Sequence, residues 1–191
     1  DEAAEDGSRT YIVHDQNVLW QYNDAIAYFA TTMKAKYVYT GLSGVARANF
    51  DMDSYSNINR VLYTYAVYPY DAAIACTYMD QVIDDQLSVV YPATQNFVRG
   101  SFGKGANLMV AKGTTPAGMD KELYFRNACG YFTIKLYSTD KVRSIKSVKL
   151  TALGGEKIAG PATIVVEDNG VPTTTMSNEA GSEIILNCGN D

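Results

Sequence analysis

The feature that most constrains the fold is a rhythm of short apolar runs, each closed by Gly, Pro, Asn or Asp. In order they are "RTYIVHD" from Arg9, "VLWQ" from Val18, "DAIAYFAT" from Asp24, "KYVYTG" from Lys36, "RANFDM" from Arg47 and "VLYTYAVYPY" from Val61. Then follow "QLSVVYP" from Gln86, "LMVAK" from Leu108, "LYFRNACGYFTIKLYS" from Leu123, "SIKSVKLTAL" from Ser144, "ATIVVED" from Ala162 and "EIILNC" from Glu183. Short strands separated by turn signals at about 8–12 residues describe a β-sandwich or barrel, whereas a βαβ fold would interpose long helical patterns. No apolar stripe at i, i+3, i+4, i+7 persists beyond about ten residues. "IACTYMDQVIDDQ", from Ile74, is expected to make one or two helical turns and nothing longer.

Composition agrees with strands. Fifteen Tyr, with many Val, Thr and Ile, suit a pleated, half-buried surface. A hydrophobic share of 47% against 19% charged residues supplies a core and excludes disorder over most of the chain. Residues 1–8, "DEAAEDGS", are acidic and read as a frayed or linker-like start.

"VLYTYAVYPYD", from Val61, shows how such a run is built. Leu62, Thr64, Ala66 and Tyr68 point to one face of a strand, and Val61, Tyr63, Tyr65 and Val67 to the other. Both faces carry apolar bulk, as in a central strand. Pro69 has no N–H for a ladder, so pairing is expected to end there. Tyrosines at alternating positions are ordinary strand residues and here need no binding role.

Most chemistries are excluded by spacing. A net charge of −5 speaks against a nucleic-acid partner, which requires a basic patch. The basic residues at 141–149 alternate with apolar ones like a half-exposed strand. Cys76, Cys129 and Cys188 stand apart, without a CxxC and with a single His, His14, in the whole chain. That spacing makes neither a zinc site nor a complete disulfide framework, and small buried hydrophobes are the plainer account. "DMDSYSNINRVL", from Asp51, begins like a calcium loop, but Ser56 stands where Gly should turn the chain and Leu62 where the bidentate carboxylate belongs. "GSFGKGAN", from Gly100, has neither phosphate-loop spacing and reads as a hairpin loop. Asp84 and Asp85 are adjacent, so on a strand they face opposite ways, and they read as turn residues. No run approaches the roughly 18 apolar residues of a membrane span. The residues alone therefore describe a mostly β protein in two parts, with no cofactor, no metal site and no catalytic residue, suited to binding or assembly.

The order of segments resembles the fimbrillin-like (Mfa-like) family of Bacteroidetes, cell-surface pilin and adhesin proteins. The pieces that carry the resemblance are "SRTYI", "VLWQYNDAIAYF", "ANFD", "YTYAVYPYD", "LMVAK", "YFRNACGYFTIKL", "VRSIKSVKLTALGGEKIAGPATI" and "IILNCG", spread over nearly the whole chain. The resemblance implies an all-β protein of two transthyretin-like β-sandwich domains. The first would span residues 1–120. The second would start at residue 121 and stay incomplete through residue 191, because about five strands are few for a closed sandwich. It further implies a non-enzymatic subunit of fimbriae, exported as a lipoprotein precursor and held at the outer membrane by a lipid anchor. Its partners would be other pilus subunits, joined by strand exchange, and ligands on host or bacterial surfaces.

In polymerising members a protease cuts after an N-terminal Arg and removes a leading strand. The groove left behind accepts a strand from a neighbouring subunit, which covers apolar surface and unpaired backbone together. Arg9 is the residue to which that cleavage point carries over. Read on its own it is an exposed residue ahead of the first strand, and no apolar strand precedes it here. A second expectation is a glycan-binding surface lipoprotein, with Tyr22, Tyr55 or Tyr91 as aromatic platforms. Solvent-facing, coplanar tyrosines would favour it, and buried ones would sink it. A hydrolase would need convergent carboxylates or a metal, for which the chain offers no motif.

Overall fold

A computed structural model describes residues 7–12, 18–78, 85–99, 101–103, 105–116, 122–137, 139 and 144–189. The chain is all-β. Its first strands are β1 (Gly7–Ile12), β2 (Val18–Leu19), β3 (Ala25–Ala30), β4 (Met33–Tyr39), β5 (Phe50–Asn57) and β6 (Tyr63–Tyr68). A 3₁₀ turn at Tyr70–Ala72 leads into β7 (Ala73–Thr77), followed by β8 (Gln86–Tyr91), β9 (Thr94–Asn96), β10 (Ser101–Gly103) and β11 (Met109–Pro116). The remainder are β12 (Arg126–Asn127), β13 (Ser147–Thr151), β14 (Gly160–Val166), β15 (Pro172–Met176) and β16 (Glu183–Asn187).

Two sheets make the main layers: a six-stranded one in the order β12-β11-β6-β3-β4-β5, and a four-stranded one in the order β15-β14-β8-β7. Between them lies the larger core. Phe29, Tyr65, Val67 and Val110 come from the first sheet, and Leu87, Val89, Ile164, Val166 and Cys76 from the second. Period-2 alternation in β6 does what it promised. Val61, Tyr65 and Val67 enter this core, while Ala66 and Tyr68 belong to a second cluster on the opposite face. β6 ends at Tyr68, immediately before Pro69.

The second cluster is centred on Trp20. Its indole meets Phe50, Tyr68 and Phe125 edge-on at 5.0, 5.4 and 5.2 Å between ring centroids, the T-shaped arrangement that ring quadrupoles favour. Trp20 is tied to Val45 by a backbone bridge, so the 40–50 loop and residues 123–125 roof one end of the outer face. Beneath it, the buried Asp24 carboxylate accepts hydrogen bonds from the Gln21 amide at 2.8 Å and the Tyr68 hydroxyl at 3.1 Å.

Smaller sheets β10-β1-β2 and β13-β16-β9 complete the structure. β13 alternates exposed and half-buried residues, as the basic run around Lys149 suggested. Two expectations meet a different outcome. Residues 74–77, expected to start helical turns, are β7 instead, because Cys76 and Thr77 pair with Leu87 and Gln86 across the sheet; residues 79–84 lie outside the described residues. The partition at residue 120 also falls inside shared layers. β14 pairs along β8 from Gly160↔Tyr91 to Val165↔Gln86, and Ala162, Ile164 and Val166 fill the same core as Leu87 and Val89. β14 and β15 thus extend the sheet begun by β7 and β8, and β16 runs parallel to β9. A brace crosses between the layers too: the nearly buried Lys112 amine of β11 donates to Asp168 at 3.0 Å and sits 4.6 Å from the Tyr63 ring centroid.

Candidate functional site: open edges and an unsheeted apolar segment

Sheet edges are where a β protein gains partners, because an edge strand presents unpaired N–H and C=O groups. β5 closes one edge of the large sheet. It carries Asp51 and Asp53 and a register shift opposite Lys36/Tyr37, charge and bulge that discourage further pairing. "DMDSYSN", which had looked like the start of a calcium loop, is therefore an edge strand. β7 closes one edge of the small sheet without a charged residue, and its Ile74 is exposed. Beside it a groove of about 480 Å³ runs between residues 57–59 and 74–77. The Lys34 ammonium spans the start of this edge, donating to the carbonyls of Ala73 at 2.8 Å and Ile74 at 3.1 Å. Burial lowers its pKa, an effect of desolvating the charged form.

A second feature is residues 131–137, "YFTIKLY". Expected as part of a strand, they join no sheet, and only Arg126–Asn127 of that run pairs, with β11. Its first residue is fastened: the Tyr131 hydroxyl donates to the side-chain Oδ1 of the buried Asn107 at 2.6 Å, and its ring meets Phe102 at 4.8 Å. Beyond that anchor Phe132 is 81% and Tyr137 88% exposed, and Ile134 and Leu136 are each more than half exposed. In an extended conformation Phe132, Ile134 and Leu136 would share one face, which is the pattern of a strand made to be covered.

Arg9 lies within β1, not ahead of it. β1 is the middle strand of its sheet, pairing Gly7↔Gly103 and Tyr11↔Ser101 on one side and Tyr11↔Leu19 on the other. Arg9 falls in the interval between Gly7 and Tyr11 where the register with β10 shifts. Of the three candidate platform tyrosines, Tyr22 and Tyr55 are 53% and 66% exposed, while Tyr91 is only 9% exposed. The Tyr91 hydroxyl is instead a structural tie, donating to the Ala128 carbonyl at 2.7 Å and lying 3.1 Å from the Thr174 hydroxyl. Burial pushes its pKa up to about 12, with Cys129 adding to the rise and the Thr174 hydrogen bond opposing it.

Asp85, expected in a turn, is wholly buried, and its Oδ2 accepts from the backbone amides of Leu62 at 2.8 Å and Tyr63 at 3.3 Å. It fixes the entry into β6, a role that an Asp-Asp pair in sequence does not announce. Cys76, Cys129 and Cys188 are free thiols; burial, with Asp85 nearby, raises the Cys76 pKa strongly. His14, Gly100, Lys104 and Asp84 lie outside the described residues. Among the described residues no cluster of three or more His, Cys, Asp or Glu could hold a metal ion, and no helix is long and apolar enough to cross a membrane. Comparison with known proteins gives no matching family model, no matching curated protein and no matching solved structure.

Proposed function

We propose that this chain is a non-enzymatic structural or adhesive subunit of the cell surface that joins other subunits by β-strand addition. The observation that carries the reading is the segment 131–137: a strand's worth of large apolar side chains, anchored at Tyr131 and then left outside every sheet. Such a surface is costly in water, at roughly 25 cal/mol per Å² of apolar area, and pairing with another chain would cover it. The edge of β7, past the Ala73 and Ile74 carbonyls that Lys34 caps, is a second place where an incoming strand could pair. The resemblance in segment order adds the setting: a fimbrium or the outer membrane, reached by export of a lipid-anchored precursor. Arg9 is the maturation point this reading assigns, and cutting there would divide the middle strand of the β1 sheet.

Limited trypsin digestion of the chain, followed by mass spectrometry and size-exclusion chromatography, tests the proposal. Cleavage after Arg9 should yield heat-resistant multimers, and Ile134→Pro should abolish them because proline breaks a donor strand. A cleaved chain that stays monomeric at every concentration, with Ile134→Pro indistinguishable from it, would refute strand addition.

A further inference from the structure

The roof over the outer face of the six-stranded sheet stops short. Trp20, the 40–50 loop and residues 123–125 cover the end near Tyr39 and Tyr68, while Met52 and Tyr55 of β5 stay exposed beyond it. Register fixes what lies there. Tyr28 pairs with Ala35 and Ala35 with Tyr55, so these three form one row across the strands. In the next row Tyr37 pairs with Met52. The four larger side chains surround Ala35, which is fully buried although it belongs to the outer face. They therefore close over its methyl and present their own surfaces to solvent. Tyr55 is 66% and Met52 53% exposed.

We infer that this patch is a binding site for neutral oligosaccharide, with Tyr28, Tyr37 and Tyr55 as the aromatic platform. Pyranose C–H groups carry partial positive charge and settle on the negative face of an aromatic ring. The Tyr28 and Tyr37 rings stand 5.2 Å apart and are inclined at 55°, making a shallow trough. Tyr28 and Tyr55 stand two strand spacings apart, roughly 10 Å, a separation that two linked sugar rings can bridge. Hydrogen-bonding groups are at hand in the hydroxyls of Tyr37 and Tyr55, on neighbouring strands of the same face.

Charge selects among saccharides. The chain carries a net charge of −5 and the four patch side chains carry none, a combination that disfavours an anionic sugar and fits an uncharged one. Area argues against a protein partner. Four partly exposed side chains offer on the order of 400 Å², short of the roughly 800 Å² per partner that a stable complex needs. The patch lies on a sheet face, away from the edges used in strand addition, so the two readings stand or fall separately.

The test is isothermal titration of the whole chain with maltohexaose, cellohexaose and mannohexaose, backed by analytical ultracentrifugation. At least one hexasaccharide should bind. Tyr55→Ala and Tyr28→Ala should each weaken that binding about tenfold or more, with circular dichroism unchanged, and Tyr55→Phe should retain most of it. Tyr22→Ala, also more than half exposed but off the platform, should leave affinity unchanged. The inference is overturned if none of the three sugars binds, or if Tyr22→Ala weakens binding as much as Tyr55→Ala. It is also overturned if the chain self-associates through this face and Tyr55→Ala abolishes that association instead.

Discussion

Replacing Tyr91 by Phe separates a structural tyrosine from a ligand-facing one, and its effect should reverse with pH. Near neutrality the change removes a hydrogen bond of 2.7 Å to the Ala128 carbonyl and little else, since the ring stays in place. That carbonyl is not orphaned, because the Thr174 hydroxyl also reaches it at 3.3 Å. The cost should therefore be that of one ordinary hydrogen bond, about 1 kcal/mol, without the added penalty of a buried unsatisfied acceptor. At high pH the balance changes. The folded protein holds the Tyr91 proton up to a pKa of about 12, while the unfolded chain releases it near 10. The native state therefore binds more protons between these values, and its stability falls as pH rises through them. Near pH 11 the wild type has lost about 1.4 kcal/mol of stability on this account, and Tyr91→Phe has lost none of it. The remaining tyrosines titrate in both proteins and cancel in the difference. Urea unfolding should thus find the variant about 1 kcal/mol less stable near pH 7 and equal to or slightly above the wild type near pH 11. An equal gap at both pH values would refute the placement of the Tyr91 hydroxyl between Ala128 and Thr174.

Two further substitutions probe the fold itself. Thr31 occupies the two-residue connection between β3 and β4 with φ at +52°, a region where a β-branched residue is strained. Thr31→Gly should raise stability by about 1 kcal/mol in the same urea assay, and a loss would contradict this geometry. Leu87 and Ile164 are direct cross-strand partners and both fully buried. Leu87→Ala and Ile164→Ala should each cost about 3 kcal/mol and lower one shared calorimetric transition, whereas two transitions, each sensitive to only one substitution, would restore a boundary near residue 120.

How far the sequence carried the fold depends on what each signal measures. Alternation reports which side chains share a face, and in β6 it assigned Val61, Tyr65 and Val67 to one core and Ala66 and Tyr68 to the other. Proline reports a missing donor, and β6 stops before Pro69. Neither signal names the neighbouring strand. β14 lies beside β8 although a long stretch of chain separates them, so a boundary placed by counting strands cuts through one sheet. Asp85 was opaque for a related reason: its worth lies in two backbone amides that fall beside it only after folding. The tyrosines of the proposed platform were half legible. Tyr55 was a candidate from its place near a turn, but Tyr28 and Tyr37 join it only through the β3-β4-β5 register.

Residues 131–137 show the sharpest form of this limit and the reason it bears on function. Their alternating bulk says that they suit a strand, and that property is local. Whether a strand forms depends on a partner, because a lone strand leaves its N–H and C=O groups to water and gains nothing from its apolar face. Here the property is present and the partner is not among the described strands. Phe132, Ile134 and Leu136 stay exposed and contribute nothing to the described core, where polar residues at the same positions would cost it nothing. On the strand-addition reading proposed above, the mismatch between what the segment suits and what the described fold gives it marks where a covering strand would bind. It predicts that whatever covers the segment will protect its amides from hydrogen exchange, and that the isolated chain will not.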